Sequence, residues 1–170
     1  MNTENSNLEF LKKSKKQLHP GDIFVLKPRG RDYYFGRVIN TDANCGFGTG
    51  GAILIYIYNA TSKDKSKIPD LEKDNLLIPP CFVNKLGWSR GFFENVGHRE
   101  LSEEEVHNIH CFWSPQIKLK ERVIRETRYM NEMGQELDGP HEPMGQYGLA
   151  NYRIVDDEVS RALGIPLAPD

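Results

Sequence analysis

His98, His107, His110 and Cys111 are the residues of this chain whose types and spacing could hold a metal. His107 and His110 stand three apart and Cys111 four beyond His107, so a helix would bring all three to one face, with His98 or a glutamate as fourth ligand. A cation held there would act as a Lewis acid and activate a bound water, the chemistry of metal-assisted hydrolysis. Against this, Cys111 runs into Phe112-Trp113 and reads as core. Gly46-x-Gly48-x-x-Gly51 matches the dinucleotide fingerprint in letters only. That fingerprint works through a helix N-terminus meeting a pyrophosphate, whereas here the strand Ile53–Tyr58 follows, so the glycines read as a plain connection. No Gly-x-Ser-x-Gly elbow is present. Nothing singles out Cys45 or Cys81 as a nucleophile, and His141-Glu142 reads as an exposed loop pair.

Those side chains need elements to position them. His19-Pro20-Gly21-Asp22 bends the chain into the apolar run Ile23–Leu26, and after a polar turn Tyr33-Tyr34-Phe35-Gly36-Arg37-Val38-Ile39 answers it. This is a β-hairpin whose first strand is apolar on both faces, with strands expected over 22–27 and 33–40. Asp22 can accept backbone N–H groups and fix the turn, and Arg37 lies across the hairpin from it. In Ile53–Tyr58 three isoleucines fall on one face and Leu54, Tyr56 and Tyr58 on the other, a half-exposed face if the phenol tips reach water. Leu76-Leu77-Ile78 reads as a strand stopped by Pro79-Pro80 and resumed at Cys81-Phe82-Val83, and alternation favours strand over 117–129. Ser102-x-x-Glu105 is a capping box for a helix to about His110, and Asp156 caps a last helix that Gly164 ends. Ser6 to Glu9 suggests a short, frayed helix over 7–16. Residues 133–148, with Gly134, Gly139, Pro140, Pro143 and Gly145, read as a long loop.

Runs of strands with helices set apart indicate an α+β fold: a strongly bent antiparallel, barrel-like sheet of five or six strands with two short helices packed against it. Residues 1–18 form a polar arm or short helix, 19–164 one domain and 165–170 a tail. Twenty-two basic against twenty-four acidic residues give a net charge of −2, a balance that argues against a nucleic-acid coat. No apolar run approaches the ~18 residues of a membrane span. Three cysteines without a Cys-x-x-Cys pair imply neither a disulfide framework nor a zinc knuckle, and reduced thiols in a cytoplasm are expected. No cofactor is implied.

The opening Gly21-Asp22-Ile23-Phe24 strand, the Tyr34-Phe35-Gly36-Arg37-Val38 strand and the closing Gly145-Gln146-Tyr147-Gly148 segment before a short helix resemble the bacterial immunity protein 26 family, over roughly residues 19–164. The resemblance implies protection of a cell by binding a cognate toxin protein, with Asp22, Tyr33, Tyr34, Arg37 and Tyr147 as the partner-binding candidates on the first hairpin and the long loop. It also implies an enzymatic alternative, because one branch of the family is labelled organophosphate phosphotriesterase. A third reading is a small sheet module that stacks single-stranded nucleic acid on its tyrosine face.

Overall fold

Gly21 turns the chain with φ +96°, and a Cβ there would stand 2.5 Å from the carbonyl oxygen of Arg99, so only glycine admits this reversal. The strand that follows, β1 (Asp22–Leu26), is buried at every residue and pairs antiparallel with β2 (Tyr33–Ala43). The structure is a computed structural model that describes residues 5–46, 50–115 and 117–170. The centre of the glycine motif, residues 47–49, lies outside the described residues.

The chain continues through β3 (Ala52–Ser62), β4 (Leu76–Val83), α1 (Leu86–Arg90) and β5 (Glu94–His98). A 3₁₀ turn at Glu103–Glu105 precedes β6 (Cys111–Ser114), β7 (Ile117–Leu119), β8 (Arg122–Arg125) and β9 (Arg128–Met130). β10 (Met144–Gln146), β11 (Leu149–Ala150) and α2 (Tyr152–Leu163) complete it. Six strands form one sheet in the order β11-β4-β3-β2-β1-β5, while β10-β6-β9 and β7-β8 form smaller ones. Strand outweighs helix over 117–129, as the alternation indicates.

The period of two in β3 sorts its side chains as expected. Ile53, Ile55 and Ile57 join one core with Trp88, Phe93, Val155 and Val159, beneath α1 and α2. Leu54, Tyr56 and Tyr58 join a second core with Phe112 and Leu71 on the opposite face. The α+β class stands, but the barrel does not: the large sheet is open, with β11 and β5 as its edges. Strands apolar on both faces arise here because separate layers cover the sheet, not because it curls on itself. The pairings are also mixed, since β11 runs parallel to β4 and β10 parallel to β6. Covering buries Tyr56 to 0% and Tyr58 to 1% exposure, so the tyrosine face offers no stacking platform to nucleic acid.

Four local expectations are corrected. The helix from 102 stops after one 3₁₀ turn, although Ser102 and Glu105 do form the capping box. The His107 N–H, which the next helical turn would send to Glu103, donates instead to the Tyr56 hydroxyl at 3.0 Å. Residues 7–16 are an extended strap: the Ser6 hydroxyl and Asn7 N–H donate to Asp156 Oδ2, and the Leu11 and Ser14 N–H groups donate to the carbonyls of Gly91 and Trp88. Asp156 therefore does not cap the last helix. α2 begins four residues earlier, capped by Asn151 Oδ1, which accepts from Arg153 and Ile154 N–H, and it ends at left-handed Gly164 as expected. Finally, Pro79-Pro80 does not stop β4. Ile57 pairs with Ile78 and Ile55 with Cys81, so two prolines face Tyr56 in a bulge, where a missing N–H is tolerated.

Candidate functional site

Asp22 and Arg37, the two charged residues of the hairpin signature, turn inward. Asp22 Oδ2 accepts the His19 N–H at 2.8 Å, and Oδ1 lies 2.8 Å from His98 Nδ1 across the β1–β5 pairing. The turn is thereby fixed as the sequence suggests, and β5 is tied to it. Arg37 has 0% exposure. Its Nη1 donates to Glu105 Oε2, and its Nη2 donates to the carbonyls of Arg99 at 2.5 Å and Glu100 at 3.2 Å. This guanidinium draws the Glu105 carboxyl down to about 2. Burial pushes the nearby Tyr58 phenol up to about 12, with Arg37 pulling the other way.

The five partner-binding candidates do not share a surface. Tyr34 is 7% exposed and belongs to the α-covered core, and Arg37 has no surface to offer. Tyr33 is half-buried, with Lys27 Nζ 5.8 Å from its ring centroid. Tyr147 packs edge-on against Phe82 of β4 at 6.2 Å, with two strands of the sheet between β4 and the strand of Asp22.

The four metal candidates do not converge either, and among the described residues no group of three metal-capable side chains does. Without a helix at 106–111 the i, i+3 face is lost. His98 is held by Asp22 at the sheet edge. The His107 Nε2–H donates to the Lys73 carbonyl at 2.8 Å, because a carbonyl can only accept. His110 Nε2 lies 2.5 Å from the Tyr56 hydroxyl and its Nδ1 3.2 Å from Glu132 Oε2, while Cys111 is core. Tyr56–His110–Glu132 has the order of nucleophile, base and orienting carboxylate, but Tyr56 is fully buried and burial pushes its phenol far above the usual range. His110 holds Glu132 below the usual carboxylate range. The triplet is a buried polar clamp joining β3, β6 and the segment after β9. Glu132 and the inward turn of the Tyr56 hydroxyl had no signature in the sequence.

A concavity runs along the outer edge of β4. One part, about 290 Å³, is lined by Pro80, Cys81, Trp113, Gly145, Leu149 and Ile154 among others. A second part, about 430 Å³, continues past Ile78 and Pro79 to Lys73, Asp74, His107 and Glu142. Gly145 makes the junction: a Cβ there would lie 2.2 Å from the Pro80 carbonyl oxygen, so only glycine lets β10 come this close to β4. The Cys81 thiol in the floor is pushed up to about 12 by burial, which makes it an apolar surface and not a nucleophile. Within the long loop expected over 133–148, the groove-facing part is ordered into β10.

The hairpin, the Arg37 anchor and the segment through β7 coincide with the region matched by a known family model, Immunity protein 26, over residues 19–121. No curated protein and no solved structure matches the chain. Because the matched region spans more than half of the chain and carries the Gly21-Asp22 turn and the Arg37 strand at its start, the chain belongs to the immunity protein 26 family.

Proposed function

We propose that this protein binds and neutralises a cognate toxin protein, acting in the cytoplasm of the cell it protects. Membership of an immunity protein family is the observation that carries this reading. The placement of its ionisable groups supports it: Arg37, Tyr56 and His110 are buried and committed to structural hydrogen bonds, which leaves recognition to surface side chains. No helix among the described residues is long and apolar enough to cross a membrane. A neutralising complex should bury on the order of 1,600 Å² around a few anchors. Tyr33 and the 134–148 loop remain the accessible candidates of the original set.

Co-expression with the toxin encoded beside its gene tests the proposal. Growth rescue together with co-purification of the pair is the expected result. A pair that neither rescues nor co-purifies refutes toxin neutralisation for this protein.

A further inference from the structure

We propose that the face formed by the N-terminal strap and α1 is a docking surface for an acidic face of a protein partner, the cognate toxin in the reading above. The inference rests on that reading for the partner's identity and adds the place and the chemistry of contact.

The strap is a fixed display, not a loose tail. Leu8 at 0% and Leu18 at 5% exposure pin its two ends in the α-covered core. Between them the Leu11 N–H donates to the Gly91 carbonyl at 2.7 Å and the Ser14 N–H to the Trp88 carbonyl at 2.9 Å, so the span lies along α1. Ordering such a span costs conformational entropy, and what it displays is charge: Lys12, Lys13, Lys15 and Lys16 are all exposed. Exposed Lys85 stands just before α1 and exposed Arg90 at its end. A helix of this length is only about 8 Å long, which keeps both beside the strap.

Nothing local neutralises these cations. No Asp or Glu occurs between Glu9 and Asp22 or between Asp74 and Glu94. Glu9 is taken by Lys27 at 2.9 Å and Glu94 by Lys65 at 3.0 Å. Among the described residues, none of the strap lysines, Lys85 or Arg90 enters a side-chain hydrogen bond or ion pair. The whole chain carries −2, so this face reverses the sign of the molecule and complements an acidic one.

Two apolar side chains stand among the charges. Phe10 is 44% exposed with its ring against Gly91, where a Cβ would lie 2.5 Å from Cε2. Leu86 is 37% exposed and, four residues before Arg90, shares its side of α1. Apolar anchors with a charged rim are the anatomy of a protein interface. A single-stranded nucleic acid stacks on successive exposed rings, whereas of Phe10, Trp88, Phe92 and Phe93 only Phe10 reaches water.

The double change K12E/K13E, measured against the toxin encoded beside the gene, tests the surface. Association should slow about tenfold or more at low salt, as loss of electrostatic steering does. Binding of the parent should weaken as salt rises from about 0.05 M to about 0.5 M, and that dependence should shrink in the variant. Leu86→Asp should speed dissociation. K63E/K67E makes the same charge change in the exposed loop after β3 and should bind like the parent. The strap lysines hold no contact, so the melting temperature of K12E/K13E should match the parent's. A folded K12E/K13E protein that binds the toxin as the parent does, or equal slowing by K63E/K67E, overturns the surface while leaving neutralisation standing. If the parent itself neither binds nor rescues, neutralisation falls, and a displayed peptide library selected against the full chain judges the surface alone. Peptides rich in Asp and Glu that K12E/K13E no longer holds support it, and no such enrichment overturns it. Tighter binding to phosphatidylserine vesicles or oligothymidylate than to those peptides gives the face to a lipid or nucleic acid and overturns it as well.

Discussion

Tyr56 and His110, 54 residues apart in the chain, meet at 2.5 Å between the phenol oxygen and Nε2 in the buried second core. The same hydroxyl accepts the His107 N–H at 3.0 Å. One oxygen from the central strand thus ends the 3₁₀ segment and orients an imidazole.

Tyr56→Phe should therefore act on stability. It strands the His107 N–H and His110 Nε2 in a core, and a buried group left unpaired costs about 1–3 kcal/mol. Urea unfolding should show a lower midpoint with an unchanged slope. An unaltered midpoint would mean that water replaces the hydroxyl.

Arg37→Met leaves the Arg99 and Glu100 carbonyls and part of Glu105 without their cation. Glu105 keeps Arg99 at 3.1 Å, so the main loss is the two carbonyls left without a donor, about 1–3 kcal/mol for each buried group. Arg37→Lys should recover little, because an ammonium cannot fork to three acceptors on two sides. Denaturation of the three proteins side by side measures both steps.

Acid should destabilise the fold through Glu105. Its carboxyl is lowered from an ordinary 4.5 to about 2, so the folded state gains from the charged form. That gain is complete above about pH 4.5 and is lost as pH falls toward 2. Glu132, lowered by His110, adds in the same direction. Asp156 runs oppositely: burial raises it above 3.8, so its contribution is present below that value and fades as pH rises through the raised one. Thermal melts between pH 7 and 2 should fall at the acid end, and Glu105→Gln should flatten that fall.

Asp156→Ala should release the strap. Ser6 and Asn7 lose their shared acceptor, and the exposed lysines at 12, 13, 15 and 16 then become open to trypsin. Faster cleavage there, with the remainder of the domain intact, is the expected pattern. Equal cleavage rates would show that Leu8, fully buried, holds the strap unaided.

Gly145→Ala should push β10 off β4, since the obstacle to a methyl is the Pro80 carbonyl and not a side chain that can swing away. A small loss of thermal stability together with altered amide exchange at Cys81 and Phe82 would register the displacement.

Elements whose signal is local were legible. The Gly21-Asp22 turn, the alternation of Ile53 to Tyr58 and the Gly164 stop all follow from neighbours in sequence. Elements decided by distant partners were not. Ser102 and Glu105 form their capping box, yet the Tyr56 hydroxyl ends that helix from 51 residues away. Ser6 and Glu9 look like another box, but Ser6 bonds to Asp156 across 150 residues. Arg37 had the chemistry of an interface anchor, and only the fold places Glu105 and two carbonyls around it. The β4 groove needed three segments brought together, and nothing in Leu149 or Ile154 alone announces that they stay in water. Pro79-Pro80 is its one readable trace, an interruption by local rules and a bulge within one continuous strand in the fold.

The strap has a consequence for synthesis. Ser6 is made 150 residues before its acceptor Asp156, which lies in α2. The α-covered core, which takes in both Leu8 and Val159, cannot close until α2 has been made. Domains that complete themselves from their first residues onward fold while they are translated; this one must wait, and a truncated translation product lacking α2 would leave its strap unfastened.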